Sequence, residues 1–261
     1  MEVTWLDSNS WLIAIGGQRI LLDPWLVGDL VFGQQPWLFR GEHPHPRPIP
    51  ENIDLILISQ GLEDHAHPPT LEALDHAIPV VGSPNAAKVV EKMGYRQVTA
   101  LPHGETFTLG SITIQAVPGS LVGPTLVENG YILRDEVSGA SLFYEPHGFH
   151  RPELKHEGPI DVVITPVLNL TLPLLGPIIR GQKGALELVD WLQPQVVLPT
   201  ADAGEVTYSG VLINWLKAIG SPQDLQAAID ARGGKTRVMA PVVGQTMALE
   251  LTSRQSEPER V

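Results

Sequence analysis

The sequence predicts a mixed α/β fold in which sheets lie between helical layers in one domain. The first observation is that two strand-rich halves follow each other along the chain, each succeeded by helical segments. The second is that 24 prolines and 25 glycines in 261 residues imply many fixed turns, which suit short strands and loops better than a helix bundle. The third is an apolar content of 43% with 18% charged residues, as in folded globular proteins.

The first half is predicted to open with a hairpin and to continue into a loop. The predicted strands are 1–6, 11–15 and 18–22, with Gly16-Gly17 as the turn. Residues 25–50 show no regular period, so we interpret them as a long ordered loop. The aromatic side chains of Trp25, Trp37 and Phe39 either line a pocket or pin this loop to the core.

The stretch from Ile53 to Leu74 is the most informative part of the chain. Residues 54–59 form a short apolar run that indicates a buried strand. Four potential metal ligands, Glu63, Asp64, His65 and His67, follow within five positions. A helix is then predicted from Pro68, because prolines are tolerated in a first helical turn. A strand, a ligand-rich loop and a helix in this order are typical of a site at the carboxyl edge of a sheet.

The remaining elements are predicted from short apolar runs, caps and turns. Strands are predicted at 79–82, 97–101, 107–109, 112–117, 127–133, 141–144, 161–166, 196–199, 237–240 and 246–251. Helices are predicted at 84–93, 184–192, 211–219 and 222–231. The apolar segment 168–179 is interpreted as a lid, an oligomer contact or buried packing. We expect one domain over 1–252 and a polar tail over 253–261.

Charge and composition argue against some classes of function and some kinds of metal site. A formal net charge of −12 and a pI near 5.1 disfavour binding to nucleic acid or to an anionic membrane, since both need a basic face. The chain has no cysteine, so any metal would rest on histidine, carboxylate and water. The N-terminus lacks the pattern of a signal peptide, and prolines break the longest apolar run. We therefore expect a cytoplasmic protein that acts on a small molecule.

Five stretches together resemble the metallo-β-lactamase superfamily. They are Val3–Asp23, Asp54–His65, Val117–Tyr131, Leu142–Gly148 and Val196–Asp202. Within the superfamily, the chain looks like the branch of small metal-dependent hydrolases related to L-ascorbate-6-phosphate lactonase. The resemblance covers most of the chain and implies a four-layer αββα sandwich, with metals at the strand ends between the two sheets.

The family's central motif, His-x-His-x-Asp-His, is incomplete in this chain. Gln60 and Leu62 stand where the first two histidines are expected, whereas Asp64 and His65 remain. The third histidine of the first metal position falls around Ser120. By this resemblance, the first metal position has lost its ligands.

The second metal position keeps ligating residues. His147 stands where the bridging aspartate is expected, Thr200-Ala201-Asp202 replaces the last histidine, and Glu145 adds a carboxylate nearby. Two histidines with one or two carboxylates and an open water position suit Zn²⁺ first, and also Mn²⁺ or Fe²⁺. The predicted ligands of one divalent metal are Asp64, His65, His147 and Asp202. The predicted catalytic carboxylates are Asp64, Glu145 and Asp202, and the predicted pocket residues are Gln60, Leu62, His67, Trp25 and Ser120.

Two functions remain open on the sequence. One is a metal-dependent hydrolase that cleaves a small ester, lactone or phosphoester at this reduced one-metal site. The alternative is a catalytically inactive relative that binds a small molecule or a protein. For the site itself, a reading without metal also stays open, in which Asp64 bonds the loop backbone and His65 packs as a satisfied histidine. A homo-oligomer formed through 168–179 is compatible with both.

Overall fold

The computed structural model describes residues 1–122, 125–173 and 176–253. The strands in these ranges are β1 (Glu2–Asp7), β2 (Ser10–Ile15), β3 (Gln18–Leu22), β4 (Leu30–Val31), β5 (Arg40–Glu42), β6 (Leu55–Ile58), β7 (Val80–Gly82), β8 (Val98–Ala100), β9 (Thr106–Leu109), β10 (Ile112–Val122), β11 (Leu126–Asp135), β12 (Ser141–Tyr144), β13 (Val162–Pro166), β14 (Asn169–Leu172), β15 (Gly176–Ile179), β16 (Val196–Thr200), β17 (Thr207–Ser209), β18 (Lys217–Ile219), β19 (Arg237–Val238) and β20 (Thr246–Ala248). The helices are α1 (Pro68–Ala73), α2 (Pro84–Lys92), α3 (Gln182–Leu192) and α4 (Pro222–Asp230), with 3-10 turns at Phe32–Gln34, Pro152–Glu157 and Val211–Trp215.

Most of the strands form two large sheets. In the described residues, one sheet has the order β20-β1-β2-β3-β6-β7-β8 and the other β19-β16-β13-β12-β11-β10-β9. Each sheet combines antiparallel hairpins with parallel strands, β3-β6-β7-β8 in one and β12-β13-β16-β19 in the other. Two three-stranded sheets, β15-β14-β18 and β17-β5-β4, are added at the side.

Successive side chains of a strand point to opposite faces of its sheet, and this explains how the sheets pack against each other and against the helices. In β6, Leu55 and Leu57 face the core between the two large sheets, whereas Ile56 and Ile58 face the side covered by α1 and α2. In the second sheet, Phe143 of β12 faces the side covered by α3 and α4. Strands covered on both faces are apolar throughout, which is why their sequences read as continuous apolar runs. The predicted four-layer αββα sandwich is confirmed.

Side-chain caps begin two of the helices where the sequence predicted helices. The Ser83 hydroxyl accepts a hydrogen bond from the Ala86 N–H at 3.1 Å, and Pro84 occupies the first turn of α2. Ser221 accepts from the Asp224 N–H at 3.1 Å before α4. Among the described residues, no helix has both the length and the apolar character needed to cross a membrane.

The prediction of a helix over 211–219 is wrong. The segment forms a 3-10 turn and then β18, which pairs with β14, while Gly210 and Gly220 at its ends have φ of +108° and +112°. Leu212 and Leu216 have a helical spacing, but the pairing with β14 satisfies the backbone in another way. Local periodicity carries no information about that distant partner strand.

The structure bears on three further predictions, for the loop 25–50, the apolar segment 168–179 and the tail. The loop predicted over 25–50 contains β4 and β5, and β5 pairs with β17. The segment 168–179 forms the β14–β15 hairpin apart from residues 174–175, which lie outside the described ranges. Of the tail, only residue 253 is described. The domain boundary at 252 and the oligomer contact through 168–179 stay predictions.

Candidate metal centre

The candidate site lies where strands of both large sheets end. Asp64 and His65 follow β6, and His147 follows β12. Ser8 and Asn9 lie between β1 and β2, and Asp202 follows β16, with a bridge between Ser8 and Asp202. Carboxyl ends of parallel strands meet at one edge of each sheet, so the two edges together bring these segments to one place.

Three potential ligands form a compact group. One ligand atom from each of Asp64, His65 and His147 lies within 4.8 Å of the other two. The two imidazole rings have centroids 5.2 Å apart and planes at 67° to each other. Two imidazole nitrogens and a carboxylate are a donor set that suits a single divalent cation with an open position.

A buried carboxylate, Asp23, orients His65. The Nδ1 atom of His65 lies 2.7 Å from Asp23 Oδ2 and carries the proton of that hydrogen bond. The Ser59 hydroxyl donates to the same oxygen at 2.5 Å, the Tyr144 hydroxyl donates to it at 2.6 Å, and the Ser59 N–H donates to Oδ1 at 2.7 Å. A histidine held by a carboxylate in this way has one defined tautomer and an Nε2 lone pair available for a metal.

The Nε2 atom of His65 faces the Asp64 carboxylate, and a cation or a proton is needed between them. His65 Nε2 lies 3.2 Å from Asp64 Oδ2, and both Nε2 and Asp64 Oδ1 are buried without a hydrogen-bond partner. Burial lowers the pKa of His65, but the carboxylates of Asp64 and Asp23 outweigh it and raise that pKa to about 10. For Asp64, burial is likewise outweighed, and the charge of His65 lowers its pKa. A lone pair facing a carboxylate requires a proton or a metal ion between them, so the residues fit a bound metal.

His147 is held from its other nitrogen by Gln60 and Ser120. The Gln60 Nε2 lies 2.7 Å from His147 Nδ1 and 2.9 Å from Ser120 Oγ, and Ser120 Oγ lies 3.2 Å from the same Nδ1. With its Nε2 here, Gln60 donates to Ser120 Oγ and to His147 Nδ1. A metal on His147 Nε2 requires the isosteric orientation of the amide, in which Oε1 would accept from an Nδ1–H and from the Ser120 hydroxyl. Burial and the nearby charge of His65 lower the pKa of His147 to about 4, so the ring is neutral at pH 7. Gln60 and Ser120, which the resemblance places where two histidines of the first metal position are expected, both contact His147 in this structure.

The loop that carries His147 is tied down by Glu145 and by a close backbone contact. Glu145 Oε2 accepts from the N–H groups of His147 and Phe149 at 3.2 and 2.9 Å, and burial raises the Glu145 pKa to about 7. The Arg180 N–H donates to His147 O at 2.8 Å. Gly148 has φ of +75°, and a Cβ there would collide with the Arg180 carbonyl oxygen.

The other predicted site residues lie at different distances from this group. Asp202 and Glu145 are outside the compact ligand group. The Asp202 Oδ1 accepts a hydrogen bond from the Ala203 N–H at 2.7 Å. His67 is buried, with Nδ1 at 3.0 Å from Thr70 Oγ1 and Nε2 at 3.1 Å from Asp29 O, so it supports α1 and the loop before β4. Trp25, expected at the pocket, is buried beside Leu30 and Val206 instead.

A cavity of about 420 Å³ opens onto the ligand group. Its polar end is formed by Ser8, Asn9, Asp64, His147 and Asp202. Its walls are apolar and come from the two small sheets and the turn before β18. Leu62 and the exposed Trp37 are not among the described residues that line it.

Sequence reasoning missed two groups of residues that shape the site. Asp23 was noted only as a strand end, although an aspartate that directly follows a buried strand is a recognisable signal for a site residue. The apolar wall residue Phe32 comes from a loop without regular periodicity, and Ile213 comes from a segment whose spacing predicted a helix. Neither pattern indicates that these side chains line a cavity.

Comparisons with known proteins identify relatives of the chain. A family model described as a beta-lactamase superfamily domain matches residues 2–201. Two similar proteins are named metal-dependent hydrolases. One, from Roseobacter denitrificans, is 29% identical over 144 residues, which cover 52% of this chain and 59% of the relative, so the chain spans less than two thirds of it. The other, from Cereibacter sphaeroides, is 26% identical over 239 residues, which cover 76% of this chain and 99% of the relative.

A solved structure has the same fold. The isothiocyanate hydrolase from Delia radicum gut bacteria matches with a TM-score of 0.70, over 95% of this chain and 99% of that one, at 16% identity. At this level of identity, the likeness shows the fold and nothing about the substrate.

Proposed function

The chain belongs to the β-lactamase superfamily, and on that premise we propose that it is a metal-dependent hydrolase with one divalent metal ion, held by Asp64, His65 and His147. The observation that carries the proposal is that His65 Nε2 is buried without a hydrogen-bond partner 3.2 Å from Asp64 Oδ2, while Asp64 Oδ1 is also buried without a partner and both residues lie beside His147. The names of the two similar proteins support the same reaction class. Two imidazoles and a carboxylate favour Zn²⁺, with Mn²⁺ and Fe²⁺ as the other candidates.

The proposed reaction is the hydrolysis of a small ester, lactone or phosphoester. A divalent metal held there supplies Lewis-acid polarisation of a carbonyl or phosphoryl oxygen and lowers the pKa of water. Asp23 keeps the proton of His65 on Nδ1, so that Nε2 stays a ligand. Asp202 lines the same cavity as Asp64 and is the proposed general base, which accepts a proton from the attacking water. Asn9 lines the same polar end and is the proposed hydrogen-bond donor to the substrate.

The proposal includes a single metal rather than two. Leu62 has no ligating atom, and the side chains of Gln60 and Ser120 are engaged with His147. The first metal position of the family is therefore replaced by a hydrogen-bonded support. We expect about one metal ion per chain.

The second candidate function is a binding protein without catalysis. It is favoured by the raised pKa of His65, about 10, because a proton on Nε2 also satisfies the Asp64 carboxylate. The proton and the metal compete for the same nitrogen, so metal content separates the two functions.

The test is metal analysis of protein purified without chelators, combined with turnover of a panel of esters, lactones and phosphodiesters. Asp64→Ala is expected to remove the metal and the turnover. Glu63→Ala is the matched control, because the neighbouring Glu63 accepts only from the Gly33 N–H at 3.2 Å in the described contacts and lies outside the ligand group. Wild-type protein without stoichiometric metal, or full turnover in Asp64→Ala, would refute the hydrolase proposal.

A further inference from the structure

The cavity over the ligand group combines one polar end with apolar walls. Phe32 and Phe39 form one wall, with ring centroids 5.2 Å apart, and Phe39 and Tyr208 continue it at 5.5 Å. Leu170 of β14 and Ile213 of the turn before β18 also line the cavity. Tilted aromatic rings and aliphatic side chains offer apolar contact area and few polar partners.

The charge of the cavity disfavours anionic ligands. Its described lining contains two carboxylates, Asp64 and Asp202, and neither lysine nor arginine. A divalent metal would offset these two formal negative charges, so the loaded site would carry no net positive charge to favour a phosphate or carboxylate group.

The arginines of the neighbouring segment 25–50 form ion pairs with carboxylates. Arg40 lies 2.6 Å from Asp29 and 2.9 Å from Glu42. Arg47 lies 2.8 Å from Asp7 and 2.6 Å from Glu205. To serve an anionic substrate, either guanidinium would have to leave these partners.

We propose that the cavity takes uncharged apolar ligands, and that the substrate is an uncharged ester or lactone with an aromatic or alkyl group rather than a phosphoester. This inference rests on the proposed hydrolase function for the reaction, but not for the binding preference. In the reaction, the water oxygen bonds to the acyl carbon while the bond from that carbon to the alkoxy oxygen breaks. One water proton ends on the alkoxy oxygen, and the other is released from the acid product.

The product of this step has a property that the substrate lacks. The new carboxylate is anionic, and it forms next to Asp64 and Asp202. Like-charge repulsion at short range disfavours its retention, so the charge that admits a neutral ester also promotes release of the acid.

Binding is tested separately from turnover, with the uncharged fluorophore N-phenyl-1-naphthylamine and EDTA-treated protein. Leu170→Asp and Ile213→Asp each add a carboxylate to one wall and are expected to weaken binding about tenfold or more, because a buried leucine-sized contact is lost. Val137→Asp is the matched control, since Val137 is 84% exposed and is not part of the cavity lining. Thermal unfolding of each variant reports whether it is folded.

Turnover is measured with metal-loaded protein on p-nitrophenyl esters from acetate to octanoate, and on p-nitrophenyl phosphate and bis(p-nitrophenyl) phosphate. The expected result is a kcat/KM that rises with acyl length and negligible cleavage of both phosphates. Equal fluorophore binding by wild type and both folded wall variants, or a higher kcat/KM for a phosphate, would overturn the inference. Fluorophore binding as expected with no ester cleavage would refute the hydrolase function and the ester substrate, while the preference for uncharged ligands would stand.

Discussion

Replacing Asp23 with asparagine is expected to weaken metal binding, although Asp23 is not one of the proposed ligands. In the wild type, His65 donates its Nδ1 proton to Asp23 Oδ2 at 2.7 Å. An amide NH₂ at this oxygen position would donate to Nδ1 instead. The neutral imidazole would then carry its proton on Nε2, the atom that faces Asp64, and Nε2 would no longer have a lone pair for the metal.

The size of the effect follows from the contacts of Asp23. Its carboxylate accepts from Ser59 N, Ser59 Oγ, Tyr144 Oη and His65 Nδ1. A hydrogen bond to a charged group contributes about 1.5–3 kcal/mol and a neutral one about 0.5–1.5 kcal/mol, so the change over four bonds lowers the free energy of unfolding by about 4–6 kcal/mol. Loss of the orienting partner is expected to weaken metal binding by about 10- to 100-fold, or about 1.4–2.7 kcal/mol.

The second large sheet provides a matched control in Asp161. This buried carboxylate accepts from the N–H and the hydroxyl of Ser141, both at 3.0 Å, and from Gln195 Nε2 at 2.7 Å. Like Asp23, it binds both donors of one serine, but no histidine is among these partners. Asp161→Asn is therefore expected to reduce stability by a comparable amount, about 3–4.5 kcal/mol, and to leave metal affinity unchanged.

The assay has two readouts. Urea unfolding in EDTA measures stability, and competition with a chromophoric chelator measures the Zn²⁺ dissociation constant at pH 7. Wild-type Zn²⁺ affinity in folded Asp23→Asn protein would refute the tautomer reasoning. So would an equal loss of affinity in Asp161→Asn.

The remaining predictions concern the His147 loop and acid stability. Gly148→Ala is expected to lower the free energy of unfolding by more than about 3 kcal/mol and to remove the metal, because the new Cβ collides with Arg180 O. Gly17→Ala is the control, since Gly17 has the same φ of +75° but a Cβ there meets nothing within 4 Å. The control should lose only about 1–2 kcal/mol of stability and keep its metal content. His150 should contribute stability that is lost as the pH falls from 6.5 to 4, since burial lowers its pKa to about 4 and the unfolded chain binds the proton first. His147 adds to this slope with a pKa of about 4, whereas Glu145, with its pKa raised to about 7, opposes it. His150→Gln should flatten the plot of unfolding free energy against pH, and an unchanged slope would contradict this assignment.

Much of the sandwich was predictable because burial leaves a local record in the sequence. Apolar runs such as 54–59 arise where both faces of a strand are covered, and Ser83 marks the start of a helix through its own cap. The 211–219 segment shows the limit, because its apolar spacing suits a helix while pairing with β14 makes part of it a strand. Secondary structure that depends on a distant partner has no local signature.

The sequence by itself determined the sandwich, and it picked out Asp64, His65 and His147 as candidate ligands through their types and positions. Only the tertiary structure decided what surrounds them. Asp23 and Tyr144 meet although 121 positions separate them, and the cavity walls come from segments that are distant along the chain. The physical reason is that a strand's faces follow from its own residues, whereas the tautomer of a histidine and the charge of a cavity depend on every segment that reaches the sheet edge.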